Sequence, residues 1–133
     1  MAQLVIVDTD ILIDFGLDED NAVKAMAILE SNYQLATSVI TVMELYSGCR
    51  SKKDLKRVDE LITDIQIQFV STVVSTKAFE LMKKFRSSHG VEINDMLIAA
   101  TTIEAGAKMI SKNQKHYQFI PSLDLLEYPL GEV

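Results

Sequence analysis

Short apolar runs alternate along the chain with longer stretches in which apolar side chains recur every three or four positions. Leu4 to Val7 is a strand-length run whose last three residues are β-branched, the pattern of a strand buried on both faces. Ile11 to Phe15 predicts a short helix ended near Gly16. Asp18 or Asp20 is placed to cap the next helix, which runs to about Ser31 with Ala22, Ala25, Met26 and Leu29 at helical spacing. Gln34 to Thr37 predicts a second strand. Ser38 then caps a helix that carries Glu44 and stops around Gly48.

Leu55, Val58, Leu61, Ile62 and Ile65 share one helical face and give the clearest amphipathic helix in the chain. Ile67 to Val70 follows as a third strand. Another helix is predicted from about Ser75 to Ser88, with Ala78, Leu81, Met82 and Phe85 inward, and His89-Gly90 closes it. Asn94 stands where a cap belongs for a helix starting at Asp95. The Met96, Leu97, Ile98, Ala99, Ala100 and Ile103 of that helix leave little polar face, so it belongs in the core. Ala107 to Ile110 is a fourth strand and Leu125 to Tyr128 a fifth. Strands separated by helices, with no repeat and no internal linker, predict one domain over residues 1–133. Its class is α/β: a three-layer α/β/α sandwich around a mostly parallel sheet.

Composition narrows the functions such a fold could carry. A chain of 133 residues, 48% hydrophobic and 24% charged, is large enough to bury roughly two-thirds of its unfolded surface without staples. Cys49 is the single cysteine, which excludes a disulfide within the chain and a cysteine-based zinc site, and suits a reducing cytoplasm. No apolar stretch approaches the roughly 20 residues that span a bilayer, so no membrane partner is expected. No basic region precedes the first apolar run, which argues against a signal peptide.

The net charge of −6 argues against tight, non-specific nucleic-acid binding, but the charges are unevenly placed. Residues 1–44 hold one cation, Lys24, against eight acids. The remaining cations form three groups: Arg50, Lys52, Lys53, Lys56 and Arg57; Lys77, Lys83, Lys84 and Arg86; Lys108, Lys112 and Lys115. Groups of this kind can guide a phosphate backbone even on an acidic protein.

The candidate chemistry lies in three acids, Asp8, Glu44 and Asp95, each where an apolar run meets a turn or helix end. In an open α/β sheet the functional crevice lies beyond the carboxyl ends of the strands. Asp8 falls just past the first strand and Asn113 just past the fourth, while Glu44 and Asp95 sit on helices able to point into the same crevice. Carboxylates with no histidine or cysteine partner form a hard, oxygen-only donor set, which suits Mg2+ or Mn2+. Two of them about 4 Å apart repel by roughly 4 kcal/mol at an effective dielectric near 20, so a gathered cluster calls for a cation. The expected outcome is a metal-dependent nuclease with Asp8, Glu44 and Asp95 as ligands. Asp10 is expected to make local backbone hydrogen bonds, and Thr9 and Ser38 to support the acids, Ser38 serving equally well as a helix cap. Zincin, serine hydrolase, P-loop and dinucleotide motifs are absent.

Four blocks in order resemble the PIN-domain family, and within it the VapC-type toxin ribonucleases of type II toxin–antitoxin pairs. They are DTDILID around Asp8, the set Ser38, Ile40, Thr41, Glu44, Leu45 and Gly48, the run DMLIAAT from Asp95, and SKNQKHY with Asn113, His116 and Tyr117. The resemblance implies an endoribonuclease that hydrolyses a phosphodiester with Mg2+ or Mn2+, leaving a 5′-phosphate and a 3′-hydroxyl. It makes Asp8 and Asp95 the principal ligands, Glu44 a direct or water-mediated one, and Asn113 the fourth site residue in place of the frequent aspartate, with His116 structural. Implied partners are a structured RNA (a tRNA or rRNA loop), a cognate antitoxin whose C-terminal segment covers the groove, and a second copy in a homodimer or larger assembly. Exposed apolar residues on the helices at 20–31 and 38–48 are the expected interfaces. Two other functions share the motifs: a PIN-type module that binds RNA or protein without cutting, and a 5′-nuclease-like phosphohydrolase, for which the short chain leaves little room.

Overall fold

The computed structural model describes residues 2–131. Its elements follow in the order β1 (Leu4–Val7), α1 (Thr9–Gly16), α2 (Asp20–Asn32), β2 (Gln34–Ser38), α3 (Val39–Ser47) and α4 (Lys52–Leu61). Then come β3 (Gln66–Gln68), α5 (Thr72–His89), α6 (Ile93–Glu104), β4 (Lys108–Ile110), a single 3-10 turn (Gln114–His116) and β5 (Asp124–Leu125). The strands form one sheet of order β3-β2-β1-β4-β5, and every pairing in it is parallel. Among the described residues no helix is long and apolar enough to cross a membrane.

Period-two alternation along β1 explains the layers. Ile6 points into a cluster with Ala36 and Met109 and the inner faces of α5 and α6, among them Ala78, Leu81, Phe85 and Ile98. Val5 and Val7 point the other way, with Ile110, onto Ile11 and Leu12 of α1 and Ala25, Met26 and Leu29 of α2. A strand covered on both sides has no polar position to spare, which is why its sequence is an unbroken apolar run. The three-layer α/β/α sandwich read from the sequence is the observed fold, and its sheet is wholly parallel.

Several boundaries differ from expectation for identifiable reasons. The N-cap of α2 is Glu19, whose carboxylate accepts from the Asn21 and Ala22 amides, so neither Asp18 nor Asp20 fills that role. Asp18 instead takes a positive φ of 57° in the turn, a conformation that Asp tolerates better than most residues. Helix α4 stops at Leu61, and Ile65 joins the core from beyond its end. Strand β3 lies at Gln66–Gln68, one residue early, while α5 starts at Thr72 with Ser71 as its cap. The cap position of α6 belongs to Glu92, so Asn94 lies within the first turn and its side chain serves another purpose.

The chain runs from β1 outward through β2 to β3, then returns to the other side of β1 for β4 and β5. The reversal opens a crevice at the carboxyl ends of β1 and β4, where ligands bind in open parallel sheets. The Asp8 N–H donates to the Ile110 carbonyl at 3.0 Å and closes the floor of that crevice. On the opposite side of β1, the fully buried Thr37 hydroxyl donates to the Val7 carbonyl at 2.7 Å. Thr37→Val keeps the shape and deletes this donor. It is expected to lower unfolding free energy by about 1–2 kcal/mol, measured by urea denaturation of the purified protein.

Candidate active site

Asp8 leaves the end of β1 as the N-cap of α1, so one residue terminates a buried strand and starts a helix. Its Oδ1 accepts from the Thr9 amide at 2.8 Å, and its Oδ2 accepts from the Ser111 hydroxyl at 2.7 Å. Ser111 follows the last residue of β4, and the strand reversal brings it beside Asp8. Asp8 is only 5% exposed, which makes it a buried charge at the head of the crevice.

Asp10, two positions on in the first turn of α1, reaches over the same loop. Its Oδ2 accepts from the Lys112 and Asn113 amides, both at 3.1 Å, and faces Ser111 Oγ at 3.2 Å. These are backbone bonds as expected, but they tie α1 to residues a hundred positions away and are not local. The other oxygen, Oδ1, is buried with no hydrogen-bond partner among the described residues. Buried polar atoms are nearly always paired, so this acceptor is an unfilled valence on a residue next to Asp8 in charge and position.

Glu44 and Asp95 complete the acidic set. Glu44, in the middle of α3, accepts at Oε1 from the Thr9 hydroxyl at 2.7 Å, and Thr41 Oγ1 lies 3.0 Å from the same hydroxyl. Its Oε2 takes a long contact of 3.5 Å from the Asn94 amide of α6. Asp95, in the first turn of α6, accepts from the Tyr117 hydroxyl at 3.1 Å and lies 3.2 Å from His116 Nδ1. Thr9 thus supports an acid as expected, whereas Ser38 caps α3 through the Ile40 amide. Asn113 presents its amide to Asp10 while its own side chain is exposed at the rim.

The electrostatics are dominated by burial and by repulsion between the acids. Burial first, then the charge of Asp10, pushes the Asp8 carboxyl up to about 7 against the lowering by its Ser111 and Thr9 hydrogen bonds, and Asp95 adds to the rise. Asp95 is likewise raised, by burial first and also by Glu44, against the opposing pull of Tyr117 and His116. Burial and the charges of Asp8 and Asp95 hold Tyr117 in its hydroxyl form, so it remains a donor.

Among the described residues no three His, Cys, Asp or Glu side chains stand close enough together to enclose an ion as they are. Each acid is held by its own hydrogen bonds, while Asp10 and Asp95 repel Asp8 and Glu44 repels Asp95. This open set of oxygens fits a small divalent cation that keeps most of its waters and takes only one or two carboxylates. The orphan Oδ1 of Asp10 and the raised Asp8 carboxyl fit it too, since a cation would satisfy the first and reverse the second. Asp10, Ser111 and Tyr117 are the residues that the sequence undervalued. The one available signal was Ser111 and Tyr117 standing in the same SKNQKHY block as Asn113.

Comparison with known proteins agrees with this geometry. The PIN domain family matches residues 5–119. The chain is 29% identical to ribonuclease VapC19 of Mycobacterium tuberculosis over 120 residues, covering 89% of this chain and 95% of that protein. Ribonuclease VapC10 of the same organism is 26% identical over 121 residues, or 90% of each chain. The structure resembles a chain of VapBC2 from Rickettsia felis, bound there to a DNA fragment from their promoter, with a TM-score of 0.79 and 25% identity over 92% of this chain and 96% of that one. It also resembles a chain of a toxin–antitoxin complex from Klebsiella pneumoniae, with a TM-score of 0.76 and 26% identity over 96% of this chain and 99% of that one.

A carboxyl raised on folding makes stability depend on pH. Between about 3.8 and about 7 the folded state keeps a proton that the unfolded chain releases, so stability falls as pH rises through that window. At 1.36 kcal/mol per pH unit the loss is up to about 4 kcal/mol. Protein stripped with EDTA is therefore expected to melt lower at pH 8 than at pH 5.5. Asp8→Asn should melt roughly 5–10 °C above the parent at pH 8 without metal. Millimolar Mg2+ or Mn2+ should raise the parent's midpoint at pH 8 and leave that of Asp8→Asn almost unmoved. Calorimetry with and without EDTA measures all three.

Proposed function

The chain belongs to the PIN domain family, and on that premise we propose that it is a Mg2+- or Mn2+-dependent endoribonuclease of the VapC toxin type, restrained by a cognate antitoxin. The observation that carries this reading is the run of mutual repulsion that links Asp10 to Asp8, Asp8 to Asp95 and Asp95 to Glu44, with a buried Asp10 oxygen left unpaired among the described residues. The relatives named ribonucleases and the neighbours solved as toxin–antitoxin complexes support the same role.

Asp8, Asp95 and Glu44 would hold the cation, with Asp10 Oδ1 in reach of it or of its waters. When bound, the ion supplies charge to polarise a phosphoryl group and to acidify the attacking water. The protein's own residues do the positioning. Tyr117 and His116 each engage one oxygen of Asp95, which sets the plane of that carboxylate. Thr9 orients Glu44, and Ser111 orients Asp8. Asn113, exposed at the rim, offers an amide to a phosphate oxygen or a water without adding negative charge.

The substrate is an unpaired stretch of a structured RNA, a tRNA or rRNA loop, because the crevice is open and bases are accessible only where unstacked. Arg57 of α4 borders the same groove as Glu44, so the basic group at 50–57 lies where a flanking phosphate would pass. In the second basic group Arg86 already donates to the Gly90 and Val91 carbonyls, which leaves Lys83 and Lys84 for that purpose. A cytoplasmic location and a homodimer belong to the same proposal, and sedimentation equilibrium checks the dimer.

The antitoxin segment would occupy a groove of about 740 Å3 between α1, α3 and α4. Leu12, Ile13, Leu17, Leu45, Val58 and Leu61 line it, and Ile13 and Leu17 are 47% and 75% exposed. Apolar exposure on this scale marks a contact surface. The groove is formed by α1, α3 and α4, while the buried residues of α2 pack onto the sheet.

Cleavage of labelled single-stranded RNA should require divalent metal and stop with EDTA. Losing a residue that only orients a metal ligand typically lowers activity about 10–100-fold, and Tyr117→Phe is expected in that range. Asp95→Asn should fall further, by on the order of 100-fold or more, with an unchanged circular-dichroism spectrum. Intact cleavage by Asp95→Asn would refute the assignment. Leu17→Arg should cleave RNA normally yet escape inhibition by the antitoxin, measured by titrating the purified partner into the assay.

A further inference from the structure

Beside Asp95 and His116 lies a second cleft, of about 210 Å3, whose other walls include His89, Glu92, Lys115 and Phe119. Its volume is below the roughly 300–1,000 Å3 typical of drug-sized ligand sites and suits one flat ring system. Of these residues, only Asp95 and His116 take part in the acidic site described above.

The cleft has an aromatic wall built in advance. The His89 ring stacks on Phe119 with centroids 3.9 Å apart and planes 15° from parallel. Phe119 meets the buried Phe85 edge to face at 5.0 Å, which anchors the pair to the core. Ser88 Oγ stands 2.7 Å from His89 Nδ1 and restrains the imidazole. Below it, Gly90 ends α5 in the left-handed region at φ 61°, and the Arg86 guanidinium donates to the Gly90 and Val91 carbonyls. Phe119 packs on the core while His89 is exposed, so the imidazole is the ring available to stack with a third. At the rim stand an anion and a cation, Glu92 and Lys115, both exposed. Glu92 is restrained only by a loose 3.8 Å contact with Arg86, so its carboxylate is free to turn inward.

We propose that this cleft is a nucleobase subsite that receives a guanine of an RNA strand passing beside Asp95. The proposal rests on the ribonuclease reading and adds a sequence preference to it. Unpaired bases are recognised by stacking on aromatic rings and by hydrogen bonds along their Watson–Crick edge. Guanine is the one standard base with two adjacent donors there, N1–H and the N2 amino group, and these match the two oxygens of Glu92. Its O6 acceptor is the complement of the Lys115 ammonium. Uracil flanks its single N–H with carbonyls, and cytosine and adenine carry an acceptor where guanine carries N1–H. The rings thus supply affinity for any base, and Glu92 supplies the choice among them.

The test is binding, kept apart from cleavage. The full chain in EDTA is titrated into fluorescein-labelled single-stranded RNA heptamers that differ only in carrying G, A, C or U at one position, followed by anisotropy. The G heptamer should bind about ten-fold tighter than the U heptamer. Glu92→Gln should reduce that ratio to about three-fold or less while leaving the affinity for U unchanged. His89→Ala, at an exposed position, should weaken all four by about five-fold or more, as loss of a stacking partner does. Phe119→Leu, which keeps apolar volume in the core, should act in the same direction. A parent protein without preference for G, or a preference untouched by Glu92→Gln, overturns the proposal. RNA cleavage assayed alongside separates the two readings. Cleavage with a base preference indifferent to Glu92 removes the subsite and keeps the ribonuclease, while G-selective binding without any metal-dependent cleavage removes the ribonuclease and keeps the subsite.

Discussion

A carboxylate buried at the carboxyl end of the central strand is the constraint around which the crevice is arranged. Asp8 must be where it is because β1 ends there and α1 begins, and its side chain satisfies the first free amide of that helix. The same position is walled by β4, so the charge is desolvated and its carboxyl rises to about 7. Ser111 and Thr9 relieve part of this penalty by hydrogen bonding, and Asp10 adds to it. A fold that buries a carboxyl against the repulsion of neighbouring acids accepts an electrostatic cost, and costs of this kind gather at functional sites.

That cost is contained by bonds that cross the fold. The loop after β4 donates two amides to Asp10, while Tyr117 reaches across to Asp95. Thr9 of α1 holds Glu44 of α3, and Asn94 of α6 touches the same carboxylate from the other side. Each acid is therefore oriented by a residue from a different element, and the site is only as well ordered as the packing of those elements on the sheet. The two apolar clusters that sandwich β1 supply that order.

Much of the architecture was legible because burial imposes periodicity. The bounds of β1 and the inward residues of α2 and α5 follow directly from it. Ser38 as cap of α3 and Gly90 past the end of α5 follow from the backbone groups left unpaired at helix ends. Caps were read less well where several polar residues competed. Glu19 outdid Asp18 and Asp20 because the turn bends the chain at Asp18, and Asn94 was drawn to Glu44, a partner fifty residues distant. The contribution of Asp10 was obscured for the same reason, its partners lying at the other end of the chain.

By itself the sequence determined the succession of elements and the α/β class and singled out Asp8, Glu44 and Asp95 for attention, since periodicity and acids at strand and helix ends are local properties. The order of the strands belongs to the tertiary structure alone. It put β4 beside β1 and so brought Ser111 to Asp8 and the following loop to Asp10. The aromatic pair of His89 and Phe119 was decided there as well, because the packing of α5 against the segment after β4 depends on which side of the sheet each chain returns to. Contacts between residues a hundred positions apart are set by that return path, and no local pattern of side chains encodes them.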